Sequence, residues 1–587
     1  MVTKQMKDKR FYEKWSKYQK LLIAVLIIYT FISFIRLGNI ESPNTFYNLK
    51  NGDYVVYEFE DEVVPAEIVF FAGNDDVYLS TYLAEEYTSN NDTFEYDTSV
   101  TSDYAAVYTW RREAINSNRK PCRYVMVSSY WDNTVVGEIA FLDPYGSVLN
   151  TKLVTGTKFL NDEPEKIHTK QTYMNSTFFD EVYFPRAAYE MFHHQYIFEY
   201  THPPLGKIIM WIPMAIFGIS PFSTRLMGNI AGILMILVMY LIAKELFKNE
   251  KYALFAAIIL ALDGMHFVQT RIATVDSFLI LFSMLSILFF IRYLKTNDNK
   301  KYRNLAISGL AWGCAVATKW LSCYLGAGLA IIFFFNYFFR EKVIVDKKWN
   351  VRPILMGLLC FVVIPVAVYL LSYIPVYGNE NEVAVYDVKD EEGNITSETV
   401  RPNTIKGFLL YQYAMYQYHS NINTREDYVE HPYASKWYTW PIMYRPMWFY
   451  TASFEDNMRS TIASMGNPAI WWLSILTFVL MVGYAVIKRD KVGLFLLVLI
   501  CSTWLAYAIV PREMYIYHYF LTSILMMLTI VYVVSKLVEW KPQLGWLVPT
   551  LASIFLIIFI YFYPIYSGAV VSEKYIESTK WLSSWDY

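Results

Sequence analysis

Asp180 and Glu181 are adjacent acids, and a short way downstream comes His202-Pro203-Pro204-Leu205-Gly206-Lys207, in a chain otherwise dominated by apolar runs. Charge can sit in any solvated loop of a membrane protein. Acids, a histidine and a lysine gathered at the bilayer surface point instead to chemistry there. A carboxylate in a partly desolvated site has a raised pKa and can deprotonate a hydroxyl as general base. Neighbours in an extended segment point to opposite sides, so one acid would face the reaction and the other would orient a partner or bind substrate. The competing reading is plain surface charge, which most paired acids in loops are.

A second set of residues lies at the ends of apolar runs. Arg225 begins one, Arg271 and Asp276 flank the start of another, Lys319 ends a third, and Arg512 and His518 fall in Pro511-Arg512-Glu513-Met514-Tyr515-Ile516-Tyr517-His518. A lone cation in such a place is ordinarily a snorkelling anchor. Here all fall on the side where the positive-inside rule disfavours cations. Several of them, together with Lys207 and an acidic pair at one membrane face, suggest a phosphate site, because Arg and Lys hold phosphate by charge-assisted hydrogen bonds. A phosphate at that depth belongs to a lipid.

Other chemistries find less support. The eight histidines, His193-His194 among them, show no metal-ligand spacing, and the outer acids lack the clustering of a hard-cation cage, so no metal is expected. Neither a P-loop nor a dinucleotide fingerprint is present, which argues for a pre-activated lipid donor over a bound nucleotide. A net charge of −2, with no basic patch interleaved with aromatics, gives no sign of a nucleic-acid partner.

The elements that must carry these groups are helices in a membrane. The chain has 587 residues, 55% hydrophobic and 18% aromatic, with a positive mean hydropathy. Apolar stretches at 21–35, 225–246, 252–269, 275–294, 304–320, 322–339, 353–376, 469–487, 492–510, 515–536 and 544–563 give eleven spans. Residues 1–20 hold seven Lys/Arg against two acids, which puts the N-terminus in the cytoplasm and marks the first run as a retained helix. Short basic connections at 244–251, 295–303, 340–352, 488–491 and 536–541 fall on that same side. The loops 38–224 and 377–468 and the C-terminal tail then lie outside the cell. Segment 208–219 contains Pro213 and is short for a span, so it reads as a helix at the outer interface with Lys207 at its start.

The first outer loop contains a different kind of sequence. Residues 41–176 carry 22 acids against 10 basic residues, and runs of β character at 54–60, 66–72, 124–129 and 135–142 are separated by turns such as Asn51-Gly52-Asp53 and Pro144-Tyr145-Gly146. An extracytoplasmic β-sandwich is expected there, either a plain packing domain or one distantly similar to carbohydrate-binding jelly rolls. With Cys122 the only cysteine in a large loop, it must fold without a disulfide framework. The second outer loop, 377–468, opens with a polar hairpin or mobile segment at 379–401. It ends dense in aromatics, Trp437, Tyr438, Trp440, Tyr444, Trp448, Phe449 and Tyr450, which suit an interfacial anchor or a sugar-stacking surface.

Taken in order, Phe179-Asp180-Glu181, the His202–Lys207 motif, Ser223-Thr224-Arg225-Leu226 and Leu262-Asp263-Gly264-Met265-His266 with Arg271 and Asp276 form a pattern. Thr318-Lys319-Trp320, Ser435-Lys436-Trp437-Tyr438-Thr439-Trp440-Pro441, Gly466-Asn467-Pro468 before Trp471-Trp472, and Tyr517-His518-Tyr519-Phe520 continue it. The series resembles the protein O-mannosyltransferases, C-fold glycosyltransferases that use a polyprenyl-phosphate sugar. The resemblance covers 178–587 and implies a polytopic α-helical protein of about eleven spans with an outer active site. It implies Asp180 as the base on an acceptor Ser or Thr hydroxyl, Glu181 as its positioning or acceptor-binding neighbour, and Arg225 as support for the catalytic loop. His202, Lys207, Arg271, Asp276, Lys319, Arg512 and His518 are the candidates around the donor phosphate and sugar, with Trp437, Trp440 and Asn467 toward the acceptor or the interface.

The implied reaction is inverting, with lipid phosphate leaving opposite the attacking hydroxyl. Cations stabilise that leaving group, so neither a general acid, a metal nor any other cofactor is required. The implied partners are polyprenyl-phosphate-mannose, Ser/Thr-containing polypeptides and membrane lipids, with monomer and homodimer both open. Unlike eukaryotic members, the chain has no room in 377–468 for a β-trefoil and carries the 41–176 insert instead, which points to a bacterial-type member of the plasma membrane. The boundaries that follow are 1–40 (tail and first helix), 41–176 (insert), 177–376 (catalytic loop, interfacial helix and helices), 377–468 (aromatic loop) and 469–587 (helices and tail). A C-fold enzyme glycosylating a lipid or cell-wall glycan is the alternative. A transporter or sensor fits less well, because the notable charges gather at span ends and not at mid-membrane.

Overall fold

The computed structural model describes residues 15–102, 106–340, 350–389, 395–421 and 430–587. The basic residues of 1–14 and most of the 340–352 connection, both used above to orient the chain, lie outside the described residues. Two compact units make up the chain. The first takes the described residues of Met1–Ile35, Glu190–Ile209 and Gly228–Tyr587; the second takes Arg36–Tyr189 and Met210–Met227.

Helices dominate the first unit. Among the described residues of the whole chain, nine helices are long and apolar enough to cross a membrane, including Lys17–Phe34, Pro221–Phe247, Asp276–Lys295, Pro468–Lys488 and Ile516–Trp540. Two expected spans fall short of that measure. The 252–269 stretch breaks into Glu250–Ala261 and Gly264–Gln269, because Asp263 turns inward and caps the second piece, accepting from the His266 amide at 3.0 Å. The 304–320 stretch becomes the helix Lys300–Val316, whose first turn carries Lys300, Lys301 and Arg303. Start signals elsewhere are conventional. Asn467 caps Pro468–Lys488 with proline at its first position, and Asp490 caps Lys491–Trp504 through the Gly493 amide at 3.0 Å.

The second unit holds the insert. Its strands are β1 (Tyr47–Leu49), β2 (Tyr54–Val63), β3 (Glu67–Ala72), β4 (Val77–Ala84), β5 (Glu95–Ser102), β6 (Thr109–Ala114), β7 (Cys122–Ser129), β8 (Thr134–Leu142) and β9 (Thr151–Thr155). They form two antiparallel sheets, ordered β1-β8-β3-β6 and β5-β4-β7-β2-β9. Alternate residues, Val55, Tyr57 and Phe59 in β2, Ile68 and Phe70 in β3, and Val125 and Val127 in β7, fill one core shared by both sheets. The four runs expected from the sequence are β2, β3, β7 and β8; the rest alternate too weakly to be seen without their partners. All five cysteines are free.

In the 377–468 loop the polar segment is the hairpin Ala384–Lys389 with Ile395–Val400, followed by the helix Ile405–Asn421. The aromatic stretch becomes a short 3-10 turn, Trp437–Ile442, and the strands Met447–Phe454 and Met458–Ser464. Trp440 and Phe449 are buried while Tyr438 and Tyr444 are exposed, so only part of that stretch could serve as an interfacial surface. Segment 208–219 falls in the short apolar helix Leu205–Phe217, with Pro213 inside it and Lys207 in its first turn.

Candidate active site

Glu181 and Arg225 form the centre of the acid turn. Residues Phe179–Val182 make a single 3-10 turn, not the extended segment expected, with Phe179 in the left-handed region at φ 51°. The turn still separates the acids: Glu181 is fully buried and Asp180 is half-buried. Arg225 donates Nε–H to Glu181 Oε1 and Nη2–H to Oε2, both at 2.7 Å. Its remaining donors go to the carbonyls of Leu37 (2.8 Å), Tyr173 (2.7 Å) and Ser176 (3.1 Å). A guanidinium has five N–H donors in a fixed fork, and all five are used inside the fold. Arg225 therefore holds the turn, in keeping with a supporting role in the loop, and has no N–H left over for a phosphate in this arrangement. Phe178 lies 4.9 Å beneath the guanidinium.

The insert supports the same turn. Trp110 of β6 donates its amide to Ser176 Oγ at 3.1 Å, and the Thr177 amide reaches the Tyr108 carbonyl at 3.3 Å. The segment leading to Asp180 thus runs beside a strand of the β-domain.

The remaining candidates lie in the first unit, where three of them, Lys207, Arg271 and Asn467, make hydrogen bonds inside the fold. Lys207 is 2% exposed and pairs with Glu199 at 2.6 Å, its ammonium also donating to the carbonyls of Glu199 and His202 (3.0 Å to the latter). Gly206 admits this packing, since a Cβ there would come within 2.7 Å of Val275 Cγ1. Arg271 turns back to the Ser33 carbonyl at 3.0 Å and the Ile35 carbonyl at 2.6 Å, closing the end of the first helix. Asn467, besides capping its helix, donates to the carbonyls of Leu262 and Phe555 at 2.9 Å each. Lys207 and Asn467 spend their side-chain donors inside the fold and Arg271 spends two of its five on the end of the first helix, so each has a packing role beside the substrate role expected of it. Trp437 offers its carbonyl to Trp504 and meets it edge to face.

What remains is one connected cluster. His202 Nδ1 lies 2.8 Å from Glu199 Oε1, and a carboxylate can only accept, so that nitrogen carries the proton. Burial pushes the His202 imidazole below its usual value against the pull of Glu199. For Glu199 itself burial acts upward, but Lys207 and His202 outweigh it and hold the carboxyl well below the usual range. His202 meets His419 edge to face, ring centres 5.1 Å apart. His419 Nε2 donates to the Thr201 carbonyl at 2.9 Å, leaving Nδ1 to accept from Arg512 Nη1 at 2.6 Å. Burial, with His202 and Arg512 adding to it, pushes His419 down to about 3. Among the described residues no carboxylate lies within ion-pair distance of Arg512.

Lys319 pairs with Asp276 at 3.0 Å and lies 5.9 Å from the Tyr517 ring, which stacks on His518 at 4.8 Å. Trp440 stacks on the same His518 imidazole, at 6.2 Å and 13°. Asp276 and His518 also line a narrow cleft with Leu279, Ile280, Leu321 and Leu521. Cations, aromatics and a cleft with an apolar wall thus lie side by side. Glu199 and His419 were missed from the sequence. Glu199 stands three residues before His202, a spacing worth reading; His419 sits in a helix with no local signal at all.

One group could hold a metal. Glu138, Asp162 and Glu163 place a carboxylate oxygen each within 4.8 Å of one another in the β-domain. The acids are 24 residues apart in sequence, which hid the cluster. Glu138 Oε1 accepts the amides of Asp162 (3.0 Å) and Glu163 (2.8 Å), and burial pushes its carboxyl up to about 7.

A polytopic helical body carrying a buried, clamped acid turn and a cation–aromatic cluster is the form of a C-fold membrane glycosyltransferase. That fold is shared with the S. cerevisiae protein O-mannosyltransferase Pmt1-Pmt2 complex bound to the sugar donor, at a TM-score of 0.59 and 14% identity, over 70% of this chain and 89% of the other. Residues 151–375 match the family described as dolichyl-phosphate-mannose-protein mannosyltransferase, and 404–585 match the C-terminal four TMM region of protein-O-mannosyltransferase. The chain belongs to the protein O-mannosyltransferase family. It is similar to the polyprenol-phosphate-mannose–protein mannosyltransferase of Mycolicibacterium smegmatis, 25% identical over 74% of this chain and 91% of that protein. The enzyme of that description from Mycobacterium tuberculosis matches with the same identity and coverage.

Proposed function

We propose that this enzyme transfers mannose from a polyprenyl-phosphate donor to Ser or Thr hydroxyls of proteins, with inversion at the anomeric carbon. The observation that carries the reading is the buried Glu181–Arg225 pair, which fixes the turn while leaving Asp180 partly exposed. Asp180 takes the proton from the acceptor hydroxyl as its oxygen attacks C1 of the sugar. The C1–O bond to phosphate breaks, the pair of electrons leaves with the polyprenyl phosphate, and Asp180 returns its proton to water. Arg512, oriented by His419, and Lys319 receive the growing charge on the phosphate, while Tyr517 and His518 face the sugar, with the buried Trp440 packed behind His518. A phosphate leaving group stabilised in this way needs no resident metal. The reaction belongs on the extracytoplasmic face of the plasma membrane, with the N-terminus in the cytoplasm and the C-terminus outside, in a monomer or a homodimer.

The experiment is a transfer assay on membranes containing the full chain, with polyprenyl-phosphate-mannose and Ser/Thr peptides, wild type against Asp180→Asn. Loss of the base should lower the rate by roughly 100- to 10,000-fold, with chelator having no effect. Undiminished transfer by the variant sinks the base assignment; transfer to lipid but to no peptide favours the glycan-acceptor alternative.

A further inference from the structure

The helix Asp276–Lys295 begins beside Lys319 and ends, about 30 Å away at 1.5 Å per residue, in a last turn carrying Arg292 and Lys295. At that far end lies a cavity of about 370 Å³, lined by Glu245, Phe289, Arg292, Lys295, Arg303 and Asn304 among others. Cations at helix C-termini are favoured by the macrodipole, and this explains part of the arrangement. Glu245 accounts for more of it, pairing with Arg292 at 3.0 Å and with Lys295 at 3.2 Å.

The charges do not balance, however. Three cations against one carboxylate leave two positive charges on the cavity wall. Arg303 is exposed, and no carboxylate of the described residues comes within ion-pair distance of it. The cavity is not a snorkelling position, because its polar wall (Thr296 and Asn304, joined at 3.2 Å) faces the same space as the cations. Phe289 and Ile307 supply an apolar flank, with Arg292 5.2 Å from the Phe289 ring. A dianionic or monoanionic phosphate ester with an apolar tail matches this combination in sign, size and polarity. Water alone would leave the two charges to the solvent.

We propose that this cavity is a second phosphate site, which binds the head group of an anionic phospholipid at the membrane surface opposite Asp276 and Lys319. Arg303 and Lys295 hold the phosphate, Asn304 and Thr296 contact its esters, and the acyl chains run along Phe289 and Ile307. Glu245 keeps Arg292 and Lys295 in place when the site is empty. The site does not depend on the catalytic reading above, since no residue is common to both.

The test uses the full chain in detergent, with phosphatidylglycerol, phosphatidylcholine or inorganic phosphate added, read by thermal shift and by native mass spectrometry. Phosphatidylglycerol should raise the melting temperature and remain bound, while phosphatidylcholine should do neither. Arg303→Gln, which breaks no ion pair, should melt like wild type without lipid and weaken retention of phosphatidylglycerol about tenfold, with Arg303→Lys in between. Inorganic phosphate reproducing the Arg303-dependent shift would identify a soluble phosphate as the source and still support the site. Equal stabilisation by both lipids, or an Arg303→Gln protein that responds as wild type does, overturns it.

Discussion

Glu181 and Arg225 meet through two parallel 2.7 Å hydrogen bonds, with each side chain 1% exposed. A bidentate pair at that depth has little value as net stability, because desolvation offsets most of the attraction. Breaking it from one side is another matter, since the surviving charge is left buried, at a cost of roughly 3–5 kcal/mol. Glu181→Gln should therefore lower thermal stability and transfer together. Arg225→Lys keeps the charge but loses the fork and at least two of the five hydrogen bonds. We expect it to fold and to lower kcat roughly 100-fold through misplacement of Asp180. A kinetic assay with a melting curve checks both; an Arg225→Lys enzyme of normal kcat would contradict the clamp.

Lys319 has Asp276 as its counter-ion and Tyr517 beneath it. If it holds the donor phosphate, Lys319→Gln should raise the donor KM roughly tenfold or more while leaving the peptide KM unchanged. Asp276→Asn should do the reverse for the donor, freeing the ammonium and lowering its KM. A pair of variants that move together in donor KM would make the ion pair purely structural.

The sequence was most legible where one residue carries its own signal. The adjacent acids, the apolar spans and the β-runs of 54–60 and 124–129 announce themselves by type and period. What stayed hidden depends on partners far along the chain. Arg225, Lys207 and Arg271 look alike as phosphate candidates in the sequence, and each also donates to backbone carbonyls, which no side-chain pattern encodes. Asp263 breaks a span that hydropathy alone runs through, because Asn467 and Trp471 supply the hydrogen bonds that let it be buried. His419 escaped for the same reason: its meaning comes from Thr201 and Arg512.

His419 fixes Arg512 only in one tautomer and only while neutral. Its folded pKa, about 3, lies below the ordinary histidine value, so the unfolded form binds more protons between those limits. The folded protein keeps the neutral arrangement until pH approaches 3, while the stability it contributes is complete above about pH 6.5 and falls away below it. His419→Asn, able to donate and accept once each, should keep most activity and lose the histidine's contribution to the acid limb. His419→Ala should raise donor KM severalfold at all pH values with kcat less affected. Equal loss in both variants would mean that the imidazole does more than position Arg512.

Glu138 offers a test confined to the β-domain. Burial raises its carboxyl to about 7 in the fold, against about 4.5 in the unfolded chain. A raised carboxyl binds more protons folded than unfolded, so its stabilising share is complete below about pH 4.5 and disappears as pH rises through 7. At pH 8 the charged form is held next to Asp162 and Glu163, with Oε2 buried and lacking a hydrogen-bond partner. Glu138→Gln removes that charge and keeps an oxygen for the two loop amides. The variant should melt a few degrees above wild type at pH 8 and lose the advantage at pH 5, read by differential scanning fluorimetry of the full chain. Added calcium provides the control. A divalent ion bound by the three carboxylates would stabilise the wild type at pH 8 and reverse the order of the two proteins, whereas a proton held by Glu138 leaves the order as predicted.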